Sequence, residues 1–359
     1  ASIKSGTNQI HGSLFEFLRN GDMNARNFFG ARRDTLKRNQ FGGTIGGPIL
    51  KNKLFYFLGY QGNIQRSNPG TSSANIPTPD MLKGDFTGIT SPACNAGRQI
   101  TLRAPFINNK IGPTLMAGPA LKMSSYFPTP PDTLCGLIFF GPLNNQDEHT
   151  ALYKLDYQIN SKHSVLFRHF IAHSLQPSPY NNNNPLTLTL SGADDLVNSA
   201  VFGDTYVVSP GAVNSFRATI NRSSVTKFQV PIPDPKALGI KITPNIPDHV
   251  RISAGTFQNI SVFGYPSAVP TTSYQLSDDF NLVKGTHQMG FGFNYIRLME
   301  NQYNLLDSSG SFTFGSQNTG LTMGDFFTGQ PSTFTEANIG EEDRKSTRLN
   351  SSHVKRSRM

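Results

Sequence analysis

The sequence contains no tryptophan and two cysteines, and only 15% of its 359 residues are charged. No apolar run approaches the roughly 20 residues that a membrane-spanning helix needs, which argues against a helical membrane protein. Aromatic residues and chain breakers are abundant, with 27 Phe, 11 Tyr, 33 Gly and 24 Pro. Low charge together with this composition is unusual for a cytosolic enzyme and favours an extracellular or outer-membrane β protein.

The net charge of +9 is concentrated at the end of the chain. Residues 343–359 hold six Lys/Arg and one Asp, a net +5, which leaves 26 Lys/Arg against 22 Asp/Glu, or +4, in the rest. The stretch "DRKSTRLNSSH" within this segment resembles a translated sequencing-library adapter, and we predict that 343–359 is not native. The alternative is a genuine basic tail. No other basic cluster supports nucleic-acid binding.

Strand-like runs recur with alternately short and long connections. The runs cover 12–19, 39–49, 54–63, 150–159, 164–173, 198–208, 212–222, 273–283, 287–297 and 310–316. Short connections occupy 50–53, 160–163, 209–211 and 284–286, whereas long ones occupy 64–149, 174–197 and 223–272. Tight turns at one end and long loops at the other are typical of outer-membrane barrels, and a soluble sandwich mixes its loop lengths more evenly.

Several runs have one apolar and one polar face at the two-residue period of a strand. Tyr153, Leu155 and Tyr157 alternate with polar residues in 151–160, and residues 287–295 repeat the pattern. A half-buried soluble sheet also alternates in this way. Strands of about ten residues with terminal tyrosines favour a lipid-facing surface, and strands in lipid must belong to a closed barrel.

Glycines at inward positions of the hairpin 40–63 favour close approach of another backbone segment. A barrel filled by a plug needs such clearance. The alternative is that these glycines only relieve sheet curvature.

The residues of this hairpin and its neighbours resemble a known family. The segments "SIKSGTNQIHGSLFEFLRNGDMNARNFF" (2–29) and "RNQFGGTIGGPILKNKLFYFLGYQG" (38–62) are similar to the plug-to-barrel junction of TonB-dependent receptors, most of all the Oar-like type. Four later segments, at 154–170, 208–223, 273–295 and 310–332, resemble the same family in order and spacing.

The resemblance implies an all-β fold, an antiparallel transmembrane β-barrel of 22 strands with long external loops, of which about ten strands are present. Residues 1–11 would be the last strand of the plug and 12–342 the N-terminal part of the barrel. Such receptors lie in the outer membrane of Gram-negative bacteria, bind a scarce substrate and import it with energy from the TonB–ExbB–ExbD complex. The segment that contacts TonB is absent from this chain.

No motif for nucleotide, metal or covalent chemistry is found, so we expect no enzymatic activity, no cofactor and no metal. Ligand contacts in a receptor come from external loops. Basic and aromatic residues there suit a glycan, a chelate or a peptide, and loop packing is the alternative role. The candidates are Arg66, Arg98, Arg103, Tyr126, Arg251, Phe257 and Tyr265. Cys94 and Cys135 share one loop and form either a disulfide or two free thiols.

Three functions are compatible with the sequence. The first is a fragment of a TonB-dependent transporter in contact with outer-membrane lipid. The second is a structural or adhesive surface barrel, and the third is a soluble secreted β-sandwich that binds a ligand. Dependence on detergent separates the third from the first two.

Overall fold

The computed structural model describes residues 3–26, 28, 33, 35–68, 72–141, 143–180, 184–187, 191–228, 235–243, 250–255, 257–260, 267–304 and 310–336. Tyr265 and the predicted tail 343–359 lie outside these ranges.

The described residues form sixteen strands, four short α-helices and four 3-10 turns. The strands are β1 (His11–Asn20), β2 (Lys37–Leu50), β3 (Leu54–Ser67), β4 (Ser72–Asn75), β5 (Leu137–Phe140), β6 (Asn144–Asn160), β7 (His163–Gln176), β8 (Gly192–Ser209), β9 (Ala212–Phe228), β10 (Arg251–Ala254), β11 (Phe257–Ile260), β12 (Ser267–Lys284), β13 (His287–Glu300), β14 (Tyr303–Asn304), β15 (Ser311–Phe314) and β16 (Thr333–Thr335). The helices are α1 (Pro79–Leu82), α2 (Gly118–Ser124), α3 (Pro235–Leu238) and α4 (Thr322–Thr328), and the 3-10 turns are Gly21–Met23, Pro92–Cys94, Pro113–Leu115 and Pro185–Thr187.

One antiparallel sheet dominates the molecule. Its order is β1-β2-β3-β6-β7-β8-β9-β12-β13, with β14 also paired to β12, which makes ten strands. The nine strands of the main path are 10 to 18 residues long. No pairing joins β1 to β13 among the described residues, so the sheet is open. The predicted antiparallel all-β sheet of about ten strands is confirmed, and its described strands do not close into a barrel.

Tight turns lie at one end of this sheet and long connections at the other. Residues 51–53, 161–162, 210–211 and 285–286 make the turns. Asn52 and Gly285 have positive φ angles of 63° and 62°, a conformation that glycine and asparagine tolerate better than other residues. We call these the turn end and the loop end of the sheet.

The pairing register confirms the two faces that alternation predicts. Tyr153 lies opposite Leu58 on β3 and His169 on β7, and Leu276 lies opposite Ala218 and Tyr295. Because side chains alternate, these residues share one face, which we call the outer face. The other is the inner face.

The run 310–316 was wrongly predicted as a strand of this sheet. Its strand, β15, belongs to a separate four-stranded sheet of order β11-β10-β15-β16 and pairs with β10 in parallel. Alternation over four residues, "SFTF", is compatible with any half-buried strand, so it cannot identify the partner.

The long connections at the loop end pack into one body with its own hydrophobic core. We call it the loop body: residues 72–141, 184–187, 235–243, 250–255 and 310–336. Its buried side chains come from four separate parts of the chain and include Phe86, Leu186, Val250 and Phe327. The rings of Phe86 and Phe327 meet edge to face with centroids 5.5 Å apart. The core therefore joins loops that are more than 200 residues apart.

Cys94 and Cys135 form a disulfide inside the loop body, with their Cα atoms 5.5 Å apart. Both cysteines are partly buried against the core. The bridge closes a loop of 41 residues. In the loop-entropy model this raises the free energy of the unfolded chain by about 4 kcal/mol and so stabilises the fold.

Candidate functional site

The outer face exposes its large apolar side chains. Tyr153 is 46% exposed, Ile220 49% and Phe291 62%, and many other outward residues of the sheet are similar. Ordinary water-soluble monomers rarely expose so many large apolar side chains on one surface. Such a surface fits contact with hydrocarbon.

Charged residues mark the two edges of this apolar band. Lys284 and His287 lie at the turn end, and Arg222 and Arg297 lie on the same outer face toward the loop end. Ten residues of β13 separate His287 from Arg297, about 33 Å at ~3.3 Å per residue. A strand tilt of about 40° reduces this to a height of ~25 Å, the thickness expected of a membrane-spanning apolar band.

Two polar pairs interrupt the band. His163 Nε2 lies 2.6 Å from Asp204, and Asn214 Nδ2 donates to Asp278 at 2.8 Å. Each polar group has a partner on the neighbouring strand, which lowers the cost of placing it on an apolar surface.

The inner face carries a polar ladder below the loop body. Arg38 donates to Asn63 at 2.8 Å, Asn63 donates to Glu148 at 2.7 Å, and Gln146 donates both to Glu148 at 2.8 Å and to Ser174 at 3.3 Å. Asn63 is only 6% exposed. The ladder therefore links β2, β3, β6 and β7 through satisfied polar groups on the side away from lipid.

The N-terminal segment, residues 3–10, crosses the inner face near the turn end, and we call it the strap. Lys154 on the inner face donates to Ser5 Oγ at 2.6 Å. Asn8 and Asn52 exchange two hydrogen bonds of 2.6 and 2.8 Å. Residues 3–10 form no strand, so the strand predicted over residues 1–11 is wrong, and the assignment of this segment to a plug stays a prediction.

Glycine permits the closest contact of the strap with the wall. A Cβ atom on Gly6 would lie 2.4 Å from the carbonyl oxygen of Tyr56 and 2.7 Å from that of Gly47. A Cβ on Gly46 would approach Gly6 Cα to 3.5 Å. Of the inward glycines of this hairpin, Gly46 lies against another backbone segment, as the sequence suggested, whereas Gly42 and Gly59 contact only residues of the sheet.

The loop body contains an apolar groove of about 610 Å³. The groove lies between the start of α2, the residues after α3, strands β10, β15 and β16, and the end of α4. Phe312 and Phe334 are in ring contact at 4.7 Å, and Phe314 meets Phe326 edge to face at 5.4 Å. Among the described residues that line it, Lys241 is the only ionisable one.

The predicted ligand residues do not converge on one site. Arg66 lies on β3 rather than in a loop, and it forms a bidentate ion pair with Asp147 of β6. Arg103 donates to the carbonyl oxygens of Ser316 and Gln317 at 3.1 and 2.8 Å, so it joins two parts of the loop body. Arg98 is exposed near the disulfide.

The other three candidates in the described ranges are also dispersed. Tyr126 is exposed after α2. Arg251 begins β10, where its backbone N–H donates to Gly310, and Phe257 begins β11. Arg66, Arg98, Arg103, Tyr126 and Arg251 are not among the described residues that line the apolar groove.

The sequence interpretation missed the groove residues. Two short stretches inside the long loops, "GIKI" (239–242) and "SFTF" (311–314), alternate as a strand does and contain several of the groove residues. Basic and aromatic side chains were sought instead, and alternation in these stretches was either overlooked or assigned to the barrel.

Residues 2–354 match the family model described as an outer membrane beta barrel domain. Two solved structures of the ferric-catecholate import receptor Fiu from E. coli K12 are similar in part. The open form has a TM-score of 0.40 and the closed form 0.38, each at 9% identity and covering 86% of this chain. The chain spans 42% and 38% of those two chains. No curated protein matches the sequence. Among the described residues, no helix is long and apolar enough to cross a membrane.

Proposed function

Because the chain belongs to the outer membrane beta barrel domain family and so lies in the cell outer membrane, we propose that it is part of a TonB-dependent receptor of the Oar-like type. In this proposal the sheet is part of the barrel wall, and the loop body faces the outside of the cell. The loop body contributes to binding a scarce small ligand, a glycan, chelate or peptide. Import uses energy from the TonB–ExbB–ExbD complex, which acts through sequence that this chain does not contain.

The strap is the observation that supports this function best. It enters β1 from the inner face, held by Lys154, Asn52 and the glycine contact at Gly46 and Gly47. A barrel that is filled by the domain preceding it in sequence needs its chain to pass from lumen to wall at this place. A hollow structural barrel has no such requirement.

Uptake in cells tests the proposal. We would delete the gene for the full-length protein from its native host and, in a second strain, inactivate TonB. Three labelled probes would be offered: an iron-55 catecholate chelate, a fluorescent malto-oligosaccharide and a labelled hexapeptide. We expect at least one probe to accumulate in wild-type cells and to be lost equally in both mutants.

Two results would contradict the proposal. In the first, uptake depends on the gene but is unchanged without TonB. In the second, deletion abolishes adhesion between cells and leaves the uptake of all three probes intact, which would favour the adhesive barrel. A gene copy carrying Lys83→Gln, an exposed loop-body change outside the strap and the groove, serves as the complementation control.

A further inference from the structure

Only some of the aromatic side chains that line the apolar groove are buried in the hydrophobic core. Phe326 is buried, whereas Phe334 is 44% exposed and Phe312 and Phe314 are half-buried. The groove volume of about 610 Å³ falls within the ~300–1,000 Å³ typical of small-molecule sites. Aromatic side chains that stay exposed on a concave wall offer ring faces and edges to a bound molecule.

The chemistry of the lining disfavours strongly hydrophilic ligands. The hydroxyl of Thr328 already donates to the Gly324 carbonyl at 2.9 Å. The remaining described lining side chains are alanine, proline, isoleucine and phenylalanine, apart from Lys241. A glycan in this groove would leave hydroxyl groups without partners, and such desolvated groups cost binding free energy.

One lysine at the groove favours ligands with a negative charge. Lys241 lies between Ile240 and Ile242, both of which line the groove, and it is itself exposed. The described lining contains no carboxylate that could neutralise it. An ammonium group beside an apolar wall favours a ligand with an anionic group at one end and an apolar body at the other.

We propose that the groove binds an amphipathic organic anion, with an aromatic or branched hydrocarbon body against Phe312, Phe314 and Phe334 and an acidic group near Lys241. The proposal rests on the proposed function in one respect, that the loop body is the outward ligand-binding surface. It excludes a glycan and narrows the remaining candidates, a chelate or a peptide, to those with an apolar body and an acidic group.

Binding to the purified full-length protein in nanodiscs tests this site, with 1-pyrenesulfonate as the fluorescent probe and empty nanodiscs as the background. We expect saturable binding by fluorescence anisotropy. Lys241→Gln should weaken it about fivefold through loss of the ion pair, and Phe334→Ala about tenfold through loss of ring contact. The neutral probe 1-pyrenemethanol should respond to Phe334→Ala but not to Lys241→Gln.

Matched controls come from the same loop body. Lys83→Gln removes an exposed cation, and Phe139→Ala removes an aromatic side chain that is 62% exposed, neither of which lines the groove. Both should change affinity less than twofold.

The absence of saturable binding, or equal weakening by variants and controls, overturns the proposal. This binding assay needs no TonB. Failure to bind together with intact TonB-dependent uptake therefore rejects the groove alone, and binding of 1-pyrenesulfonate without TonB-dependent uptake of the same probe rejects transport alone.

Discussion

Asp325 shows at the scale of one residue how the loop body is held. It is fully buried in α4. One carboxylate oxygen accepts the N–H and hydroxyl of Thr319, both at 2.6 Å. The other accepts the backbone and side-chain N–H groups of Asn318 at 3.1 and 3.2 Å. All of these donors lie in the turn before the helix, so a single carboxylate fixes residues 318–325.

Asp325→Ala should therefore destabilise this part of the loop body by about 2–4 kcal/mol, because buried donors lose their acceptor. Hydrogen exchange of residues 316–330 in the full-length protein measures it and should accelerate by at least tenfold. Glu336→Ala, an exposed acidic change nearby, should leave exchange as in wild type. Unchanged exchange in Asp325→Ala would refute this role.

Asp85 makes the stability of the loop body depend on pH. The Lys110 ammonium, 2.7 Å away, and the hydroxyl and backbone N–H of Thr87 lower the pKa of Asp85 from 3.8 to about 2. Hydrogen bonds from backbone N–H groups, first that of Cys135, also lower the pKa of Asp132. A lowered pKa means that the folded state favours the charged carboxylate.

The stabilisation from Asp85 should be complete above about pH 4 and be lost as the pH falls toward 2. We expect Asp85→Asn to flatten the pH dependence of hydrogen exchange for residues 85–111 across this range. Lys83→Gln, which leaves the Asp85–Lys110 pair intact, is the control. The same slope in Asp85→Asn and wild type would show that the pair does not contribute.

Single residues were the hardest feature to predict from the sequence. Arg66 was predicted to be a loop ligand because strand β3 was expected to end at residue 63. Its partner Asp147 lies 81 residues later, and only the register of β3 against β6 brings the two together. The same holds for Arg103 and its acceptors more than 200 residues away. Local patterns carry no information about such distant pairs.

At the scale of elements, prediction was far better for long strands than for short ones. The outer faces of β6, β9, β12 and β13 follow from alternation over eight or more residues, and the register bears them out. The pairing partners of the short strands in the loops were not predictable, since four alternating residues fit many partners. Gly46 of β2 was informative because glycine has no Cβ atom and so permits the close approach of another backbone segment.

The strap provides a prediction at this scale. Gly6→Val should prevent the strap from lying against Gly47 and Tyr56, because the new side chain meets backbone atoms that cannot move independently. We expect hydrogen exchange in residues 3–10 to increase more than tenfold in the full-length protein. Gly112→Val, at a glycine with φ −68° and open space around it, is the matched control. Protection of 3–10 that survives in Gly6→Val would contradict the proposed contact.

The whole molecule has two parts, a loop body that is stable in water and a sheet whose outer face needs lipid. The loop body buries a hydrophobic core away from water in the ordinary way. The sheet toward the turn end leaves its apolar outer face exposed and needs lipid to cover it. Composition and loop lengths predicted the lipid-facing strands and the long loops that join them. The ordered core inside the loops was not predicted, because its residues are scattered over four connections.

Spin-label accessibility along β9 in the full-length protein, reconstituted in lipid, tests the central claim most directly. Single cysteines would carry a nitroxide at each position from 215 to 220, with Cys94 and Cys135 protected by their disulfide. We predict a two-residue alternation: collisions with lipid-soluble oxygen peak at 216, 218 and 220, and collisions with aqueous nickel chelate peak at 215, 217 and 219. Labels at 216, 218 and 220 that neither reagent reaches would place this face in a protein core and contradict the account.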